Sequence, residues 1–410
     1  MTFPAALPIP EAVLAIVRRL EESGFETWCV GGAVRDSLLG LPMASDKLDL
    51  ATAAPPDVVR RLFRRTVPVG IEHGTVGVLD GAGGLHEVTT FRRDVRTDGR
   101  HAEVAFGASL EEDLARRDFT INAIAYHPLR REWRDPFGGQ ADLEAKLIRA
   151  VGEPDQRFRE DYLRVVRALR FAARFGFAID QPTWAAARAA VPGLRQLSAE
   201  RVRDEWTRGL ESARRPSVLF TMWRELGGLE IWLPELGKRE TGNGKRDLDA
   251  LDRLAVRDPV LMTAYLSADP VATLTRLRFS NAEIERARRI AAQRDARPDP
   301  ADARAVRRWM ASAGSAVDDL LAIAVAEGWG GPLAATVASL RAAHVPLALG
   351  DLAISGNDLL AAGVPKGPAM GQVLRALLDE VLDDPTRNTR EYLLSRTPFH
   401  VSRFPFPETP

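Results

Sequence analysis

Cysteine is nearly missing from this 410-residue chain, in which Cys29 stands alone. One thiol excludes an intramolecular disulfide and a cysteine-built zinc knuckle, and it suits a reducing compartment. Lysine is also scarce. Of 56 basic residues only five are lysines, Lys47, Lys146, Lys238, Lys245 and Lys366. A surplus of either charge is lacking too, because 56 acidic residues balance the bases. That balance excludes a simple polycation that coats nucleic acid, but not a folded protein with one basic face. No apolar run approaches the roughly 20 residues of a membrane span. Residues 1–10 carry neither the basic stretch nor the apolar block of a secretory signal, so a cytoplasmic, membrane-free setting is expected. There is no fixed-period repeat and no low-complexity tract.

What remains is an ordinary globular mix, 45% hydrophobic and 27% charged, in a chain long enough for roughly two to four domains. Val13, Ile16, Val17 and Leu20 recur with helical period and predict a helix over 11–24, ended by Gly24. A β-rich run, Thr27 to Val30, leads into Gly31-Gly32 and a helix over 33–39. Strands are expected at 74–79 and 85–91, joined by the turn 80–84. From 109 to 224 the pattern is mostly helical, interrupted at Asp135-Pro136-Phe137-Gly138-Gly139, and the remainder alternates helices with polar turns. The fold class is therefore α+β, a mixed head followed by helices. The expected segments are a head at 1–148, a neck at 149–225, a body at 226–345 and a tail at 346–410. Charge is uneven over them. Residues 156–224 hold 14 arginines against 7 acids, whereas 351–384 hold six acids against Lys366 and Arg375. Solvated helix faces would account for this, as would a basic wall facing a polyanion.

Three clusters carry chemistry. Gly31-Gly32-Ala33-Val34-Arg35-Asp36 lies between a strand and a helix, where glycines let backbone N–H groups approach an anion and Arg35 adds a fork of donors. An ordinary tight turn would look the same. Asp46-Lys47-Leu48-Asp49 follows. Acids one residue apart on a strand point the same way and can jointly hold Mg²⁺, and Glu87, on a neighbouring strand, could supply a third oxygen. Asp46 and Asp49 face opposite sides unless a bulge intervenes. The third cluster lies in an amphipathic helix expected over 158–175. Advancing about 100° per residue puts Val165, Val166, Leu169, Ala172 and Ala173 on a core face and Glu160, Arg164 and Arg167 opposite. A salt-bridge ladder explains that second face. So does base reading, since an Asp–Arg pair such as Asp161 and Arg164 can copy a Watson–Crick edge. Trp133, Trp184 and Trp206 are read as core.

The ordered set Gly-Gly-Ala-Val-Arg-Asp, the acidic pair before Leu-Ala-Thr, Glu-Val-Thr-Thr-Phe-Arg, Arg116-Arg117-Asp118-Phe119-Thr120-Ile121-Asn122, Asp135 to Gly139 and Glu160-Asp161-Tyr162-Leu163-Arg164 resembles the class II tRNA nucleotidyltransferases. That group unites CCA-adding enzymes and bacterial poly(A) polymerases within the DNA polymerase β superfamily. The resemblance implies a polymerase-β-type head and transfer of CMP and AMP from CTP and ATP to the 3′ end of tRNA, with Mg²⁺ as cofactor. It implies Asp49, Asp46 and Glu87 as catalytic acids, the first two as metal ligands, and Gly32 and Arg35 at the triphosphate. Arg117 and Asp118 fall to the ribose and phosphates, Asp161 and Arg164 to the base, and Arg167 and Arg170 to further nucleotide contacts. Residues 92–100 correspond to a flexible loop, and the segment 352–391 to a tRNA-docking tail. The family places an aspartate where this chain has Lys47. Either Asp46 substitutes through a bulge or Lys47 impairs the metal site, leaving a tRNA-binding protein. A-only or poly(A) addition is the other alternative.

Overall fold

The computed structural model describes residues 3–42, 48–71, 74–80, 83–97, 102–237 and 247–403. Two compact units, Met1–Pro234 and Glu235–Pro410, divide the chain.

The first unit opens with α1 (Glu11–Glu22), which buries Val13, Ile16, Val17 and Leu20 as the periodicity requires. Next come β1 (Thr27–Val30), α2 (Gly32–Leu38), β2 (Asp49–Thr52), α3 (Pro56–Leu62), β3 (Thr66–Gly70), β4 (Thr75–Leu79) and β5 (Leu85–Thr90). A hairpin of β6 (Arg92–Thr97) and β7 (Ala102–Phe106) precedes α4 (Leu110–Ala115), β8 (Ala125–His127) and β9 (Glu132–Arg134). Seven strands form one sheet in the order β3-β4-β5-β2-β1-β8-β9. Every neighbouring pair is antiparallel except β2 and β5, which run parallel with Leu50 opposite Val88. β1 is buried at all four residues, which is why it reads as an unbroken apolar run rather than an alternation. Trp28, Val30, Ala51, Phe91, Leu110, Leu114 and Ala125 pack together as the core beside it.

The first unit continues as α5 (Gly139–Ala145), β10 (Leu147–Ile148), α6 (Pro154–Glu160), α7 (Leu163–Phe175), β11 (Ala178–Ile179), α8 (Gln181–Ala190), α9 (Ala199–Ser212) and α10 (Pro216–Leu226). Three expectations are corrected. The helix expected over 158–175 is two helices, broken at Asp161, whose backbone is extended (φ −154°, ψ 106°). The apolar period runs through the break and hides it, while the Asp161 carboxylate accepts from the Leu163 N–H and starts the second helix. The stretch expected as a loop at 92–100 is instead strand from Arg92 to Thr97, paired with β7, and 98–100 lies outside the described residues. The stretch expected as mostly helical from 109 also carries β8 and β9, which extend the sheet beyond β1. Trp206 is fully buried, in an edge-on pair with Trp223.

The second unit is helical throughout its described residues. In its last segment Leu352, Ile354, Leu359, Val373, Leu377, Val381 and Leu393 form a separate core, with Leu374 and Leu378 packed against it. Arg304 and Arg308 both bind Asp383, and Arg307 donates to the Leu382 and Asp383 carbonyls, tying one helix to the end of another. The stretch Ala303–Ala326 is long and apolar enough to cross a membrane, and half of it is buried inside the protein.

Gly138 and Gly139 separate two steric roles. Gly138 has φ +71° with open space around it, whereas a Cβ on Gly139 would meet the Thr120 carbonyl oxygen at 2.2 Å. Gly138→Ala should therefore cost about 1 kcal/mol. Gly139→Ala should cost about 3 kcal/mol, because the clash falls on backbone that cannot swing away. Urea denaturation of both variants measures the difference, and equal costs would contradict it.

Candidate active site

A cavity of about 490 Å³ lies within the first unit, bordered by α2, β2, the 117–122 turn, α7 and α9. Among its described lining residues are seven arginines and three aspartates, so its wall is basic.

Gly31, at φ +78°, begins α2, and a Cβ there would stand 3.3 Å from both the Arg117 Nη1 and the Asp49 Oδ2. Only a residue without a side chain lets the turn approach that pair so closely. Gly32 and Arg35 also line the cavity. Arg35 is 3% exposed, however, and its fork is held by Asp36 through Nε (2.8 Å) and Nη2 (2.6 Å) and by Asn122 through Nη1. Its face lies 5.0 Å from the Phe171 ring and 4.8 Å from that of Phe175.

Asp49 opens β2, and Glu87 precedes Val88 on the parallel neighbour β5, so the register places the two acids side by side. Burial, reinforced by the Glu87 charge and opposed by Arg117, pushes the Asp49 carboxyl up to about 6. Two carboxylates gathered where one resists ionisation suit a cation between them. Glu87 itself is exposed and is not among the cavity's lining residues. Asp46 and Lys47 lie outside the described residues. Among the described residues no group of three His, Cys, Asp or Glu side chains is placed to hold a metal ion.

Asp118 is 8% exposed. One of its oxygens accepts from the Phe119 N–H and the Asn122 amide, and the other from the Arg167 Nε at 2.8 Å. Burial alone would raise its pKa, but Arg167 and Asn122 outweigh that and hold the carboxyl down to about 2. Glu205 on α9 continues the network, accepting from the Arg170 Nε at 2.5 Å and lying 3.6 Å from the Arg167 Nη1.

Asp161, Arg164 and Arg201 stand together at the other end of α7. The Asp161 Oδ1 caps Leu163, and its Oδ2 accepts from the Arg201 Nη2 at 2.7 Å. Arg164 donates to Glu160 (2.6 Å) and to the Arg116 carbonyl (2.9 Å). The i, i+4 bridge expected of this face is thus present, between Arg164 and Glu160. Two buried donors here, the Arg117 Nε and the Arg201 Nη1, have no acceptor among the described residues. A buried N–H without a partner is costly, and an acceptor on a bound ligand would satisfy it.

Of the residues expected from sequence, the cavity gathers Gly32, Arg35, Asp49, Arg117, Asp118, Asp161, Arg164, Arg167 and Arg170. Sequence reasoning missed the roles of Asn122, Arg174, Arg201 and Glu205. Arg174 continues the spacing of Arg164, Arg167 and Arg170 and was within reach. Arg201 and Glu205 sit 40 and 35 residues from their partners and give no local signal.

Residues 27–149 match the family described as Poly A polymerase head domain, 176–239 the RNA and SrmB-binding site of polymerase A, and 260–396 tRNA nucleotidyltransferase domain 2. The chain is 36% identical over 405 residues to the CCA-adding enzyme of Latilactobacillus sakei, covering 93% of this chain and 96% of that protein. With the CCA-adding enzyme of Limosilactobacillus fermentum it shares 35% identity over 407 residues, 96% of this chain and 97% of the relative. Among solved structures, the Bacillus stearothermophilus CCA-adding enzyme in complex with CTP superposes with a TM-score of 0.80 at 32% identity, covering 97% of this chain and 100% of the other. The polymerase-β-type head, the helical remainder and these relatives agree, and the chain belongs to the CCA-adding tRNA nucleotidyltransferases.

Proposed function

We propose that this chain completes the 3′ end of tRNA by adding C, C and A from CTP and ATP, releasing pyrophosphate at each step, in the cytoplasm. The observation that carries the reading is the two-ended cavity. At one end a fixed carboxylate and a fixed guanidinium, Asp161 and Arg164, offer an acceptor beside donors. Cytosine and adenine both present an exocyclic amine next to a ring acceptor, and uracil and guanine put a carbonyl there. One Asp–Arg pair therefore accepts the two correct bases and rejects the other two.

Asp49 and Glu87, with Asp46 from outside the described residues, would hold Mg²⁺, which supplies charge neutralisation at the phosphates and a more acidic hydroxyl. Arg117 and Arg167 orient the nucleotide, and Asp118 keeps Arg167 in place. The 3′ hydroxyl of the tRNA gives its proton to water as its oxygen bonds to the α-phosphorus, the bond to the bridging oxygen breaks, and pyrophosphate leaves.

The test uses full-length protein, Mg²⁺ and tRNA ending at the discriminator base, with labelled nucleotides. Two C additions followed by one A are expected. Incorporation of A alone, or long A tails, would instead favour a poly(A)-type activity. Binding without incorporation, rescued by Lys47→Asp, would identify a metal site impaired at Lys47.

Asp49→Asn separates catalysis from stability. A carboxyl raised to about 6 binds its proton more readily in the folded than in the unfolded chain. Its contribution to stability is therefore full below about pH 4 and declines as pH rises through 6. Without metal at pH 8, the variant should be more stable by on the order of 1–2 kcal/mol, and the advantage should vanish near pH 4. Nucleotide incorporation should fall by two or more orders of magnitude. Thermal melts in EDTA and in Mg²⁺ measure both sides, and a less stable metal-free variant at pH 8 would refute the placement of the acids.

A further inference from the structure

Helix α7 carries arginines at 164, 167, 170 and 174, spaced by three or four residues along one face, and all four line the cavity. A rise of 1.5 Å per residue separates Arg164 from Arg174 by about 15 Å. Arg164 stands beside Asp161, where the base is read. Arg174 reaches α2, the helix that follows the Gly31-Gly32 turn, donating from Nη2 to the Asp36 Oδ2 at 2.8 Å. In the nucleotide reading of the cavity, the helix would run from the base end toward the phosphate end, with Arg174 last.

Asp36 is shared between two guanidiniums, Arg35 on Oδ1 and Arg174 on Oδ2, which leaves one unbalanced positive charge. The two arginines differ. Arg35 is almost inaccessible and bonded on both sides, to Asp36 and Asn122. Arg174 keeps 29% of its side-chain surface exposed, and Asp36 is its only acceptor among the described residues. Stacking 4.9 Å from the Phe175 ring orients its plane. A planar fork bound at one edge and open at the other is suited to a phosphate.

The geometry points to Arg174 as a contact for the terminal phosphates of the incoming nucleoside triphosphate, and hence for the pyrophosphate that leaves. The inference rests on the nucleotide reading of the cavity. Asp36 is the counter-charge that holds the arm when the terminal phosphates are absent. Affinity for CTP then depends on Arg174, while affinity for CMP, which lacks those phosphates, does not.

Arg174→Gln and Arg174→Lys in the full-length protein test this, with CTP, CMP and inorganic pyrophosphate titrated in Mg²⁺. The glutamine variant should bind CTP and pyrophosphate about tenfold more weakly and CMP within twofold of wild type. Lysine, which keeps the charge, should recover part of the loss, and the preference for CTP over UTP should not change. A parallel loss of CTP and CMP affinity would mean a strap between α2 and α7 and overturn the proposal, as would unchanged pyrophosphate binding. Wild-type protein that binds neither nucleotide would overturn the site reading itself, and Arg174's role with it.

Discussion

The Asp118 carboxylate, less than a tenth exposed, stays ionised only because Arg167, Asn122 and a backbone N–H all donate to it. Everything else at the cavity depends on that arrangement. Asn122 spends its amide on Asp118 and turns its oxygen to Arg35. Arg35 holds Asp36, which holds Arg174, and on the other side Arg167 and Arg170 meet at Glu205. Acid and base alternate along one connected chain, running from the Gly-Gly turn through the head and across two neck helices. Buried charges of this kind cost several kcal/mol each when unpaired, so the network is stable only when complete. Removing one member exposes the desolvation cost of its neighbours, and effects of substitutions within it are not additive. The network fixes where the remaining donors of each arginine point.

Completeness stops at the cavity. The Arg117 Nε and the Arg201 Nη1 are buried without acceptors among the described residues, and Asp49 is held with its pKa raised. The two features call for ligands of opposite charge, an acceptor for the donors and a cation for the carboxylate. In the reading proposed above, a nucleotide phosphate with a divalent metal would meet both at once. A site tuned for the bound state is destabilised when empty, which is the usual cost of preorganised function.

Much of the first unit was legible in sequence because its signals are local. Helix α1 announces itself by Val13, Ile16, Val17 and Leu20, the strand–turn–helix by Thr27 to Gly32, and the β4–β5 hairpin by its glycine-rich turn. Two failures have a common cause. The break at Asp161 leaves the apolar period undisturbed, since Leu163, Val166 and Leu169 continue it. Strand β6 reads Arg-Arg-Asp-Val-Arg-Thr, a polar run with no apolar alternation, and its partner β7 is met through backbone pairing. Partners far apart in sequence were also invisible: nothing around Arg201 says that its carboxylate is Asp161. The resemblance named candidate site residues, but it could not say that Asp118 would use both oxygens within the protein.

Arginine's dominance acquires a structural reason here. All the cations lining the cavity among the described residues are arginines, and several of them grip a protein acceptor with only part of the fork. Arg164 grips Glu160 and the Arg116 carbonyl, Arg167 grips Asp118, and Arg174 grips Asp36, each with part of a rigid fork. Bonds to the protein fix the plane of the guanidinium and so aim its other edge. Lysine's ammonium sits on a flexible stem and has no second edge to aim. A lysine in the same network could neutralise its acid, but it could not also present a directed pair of donors to a base or a phosphate. The zero net charge of the chain is consistent with this. The acids are not an excess to be cancelled but the anchors that give each arginine its direction.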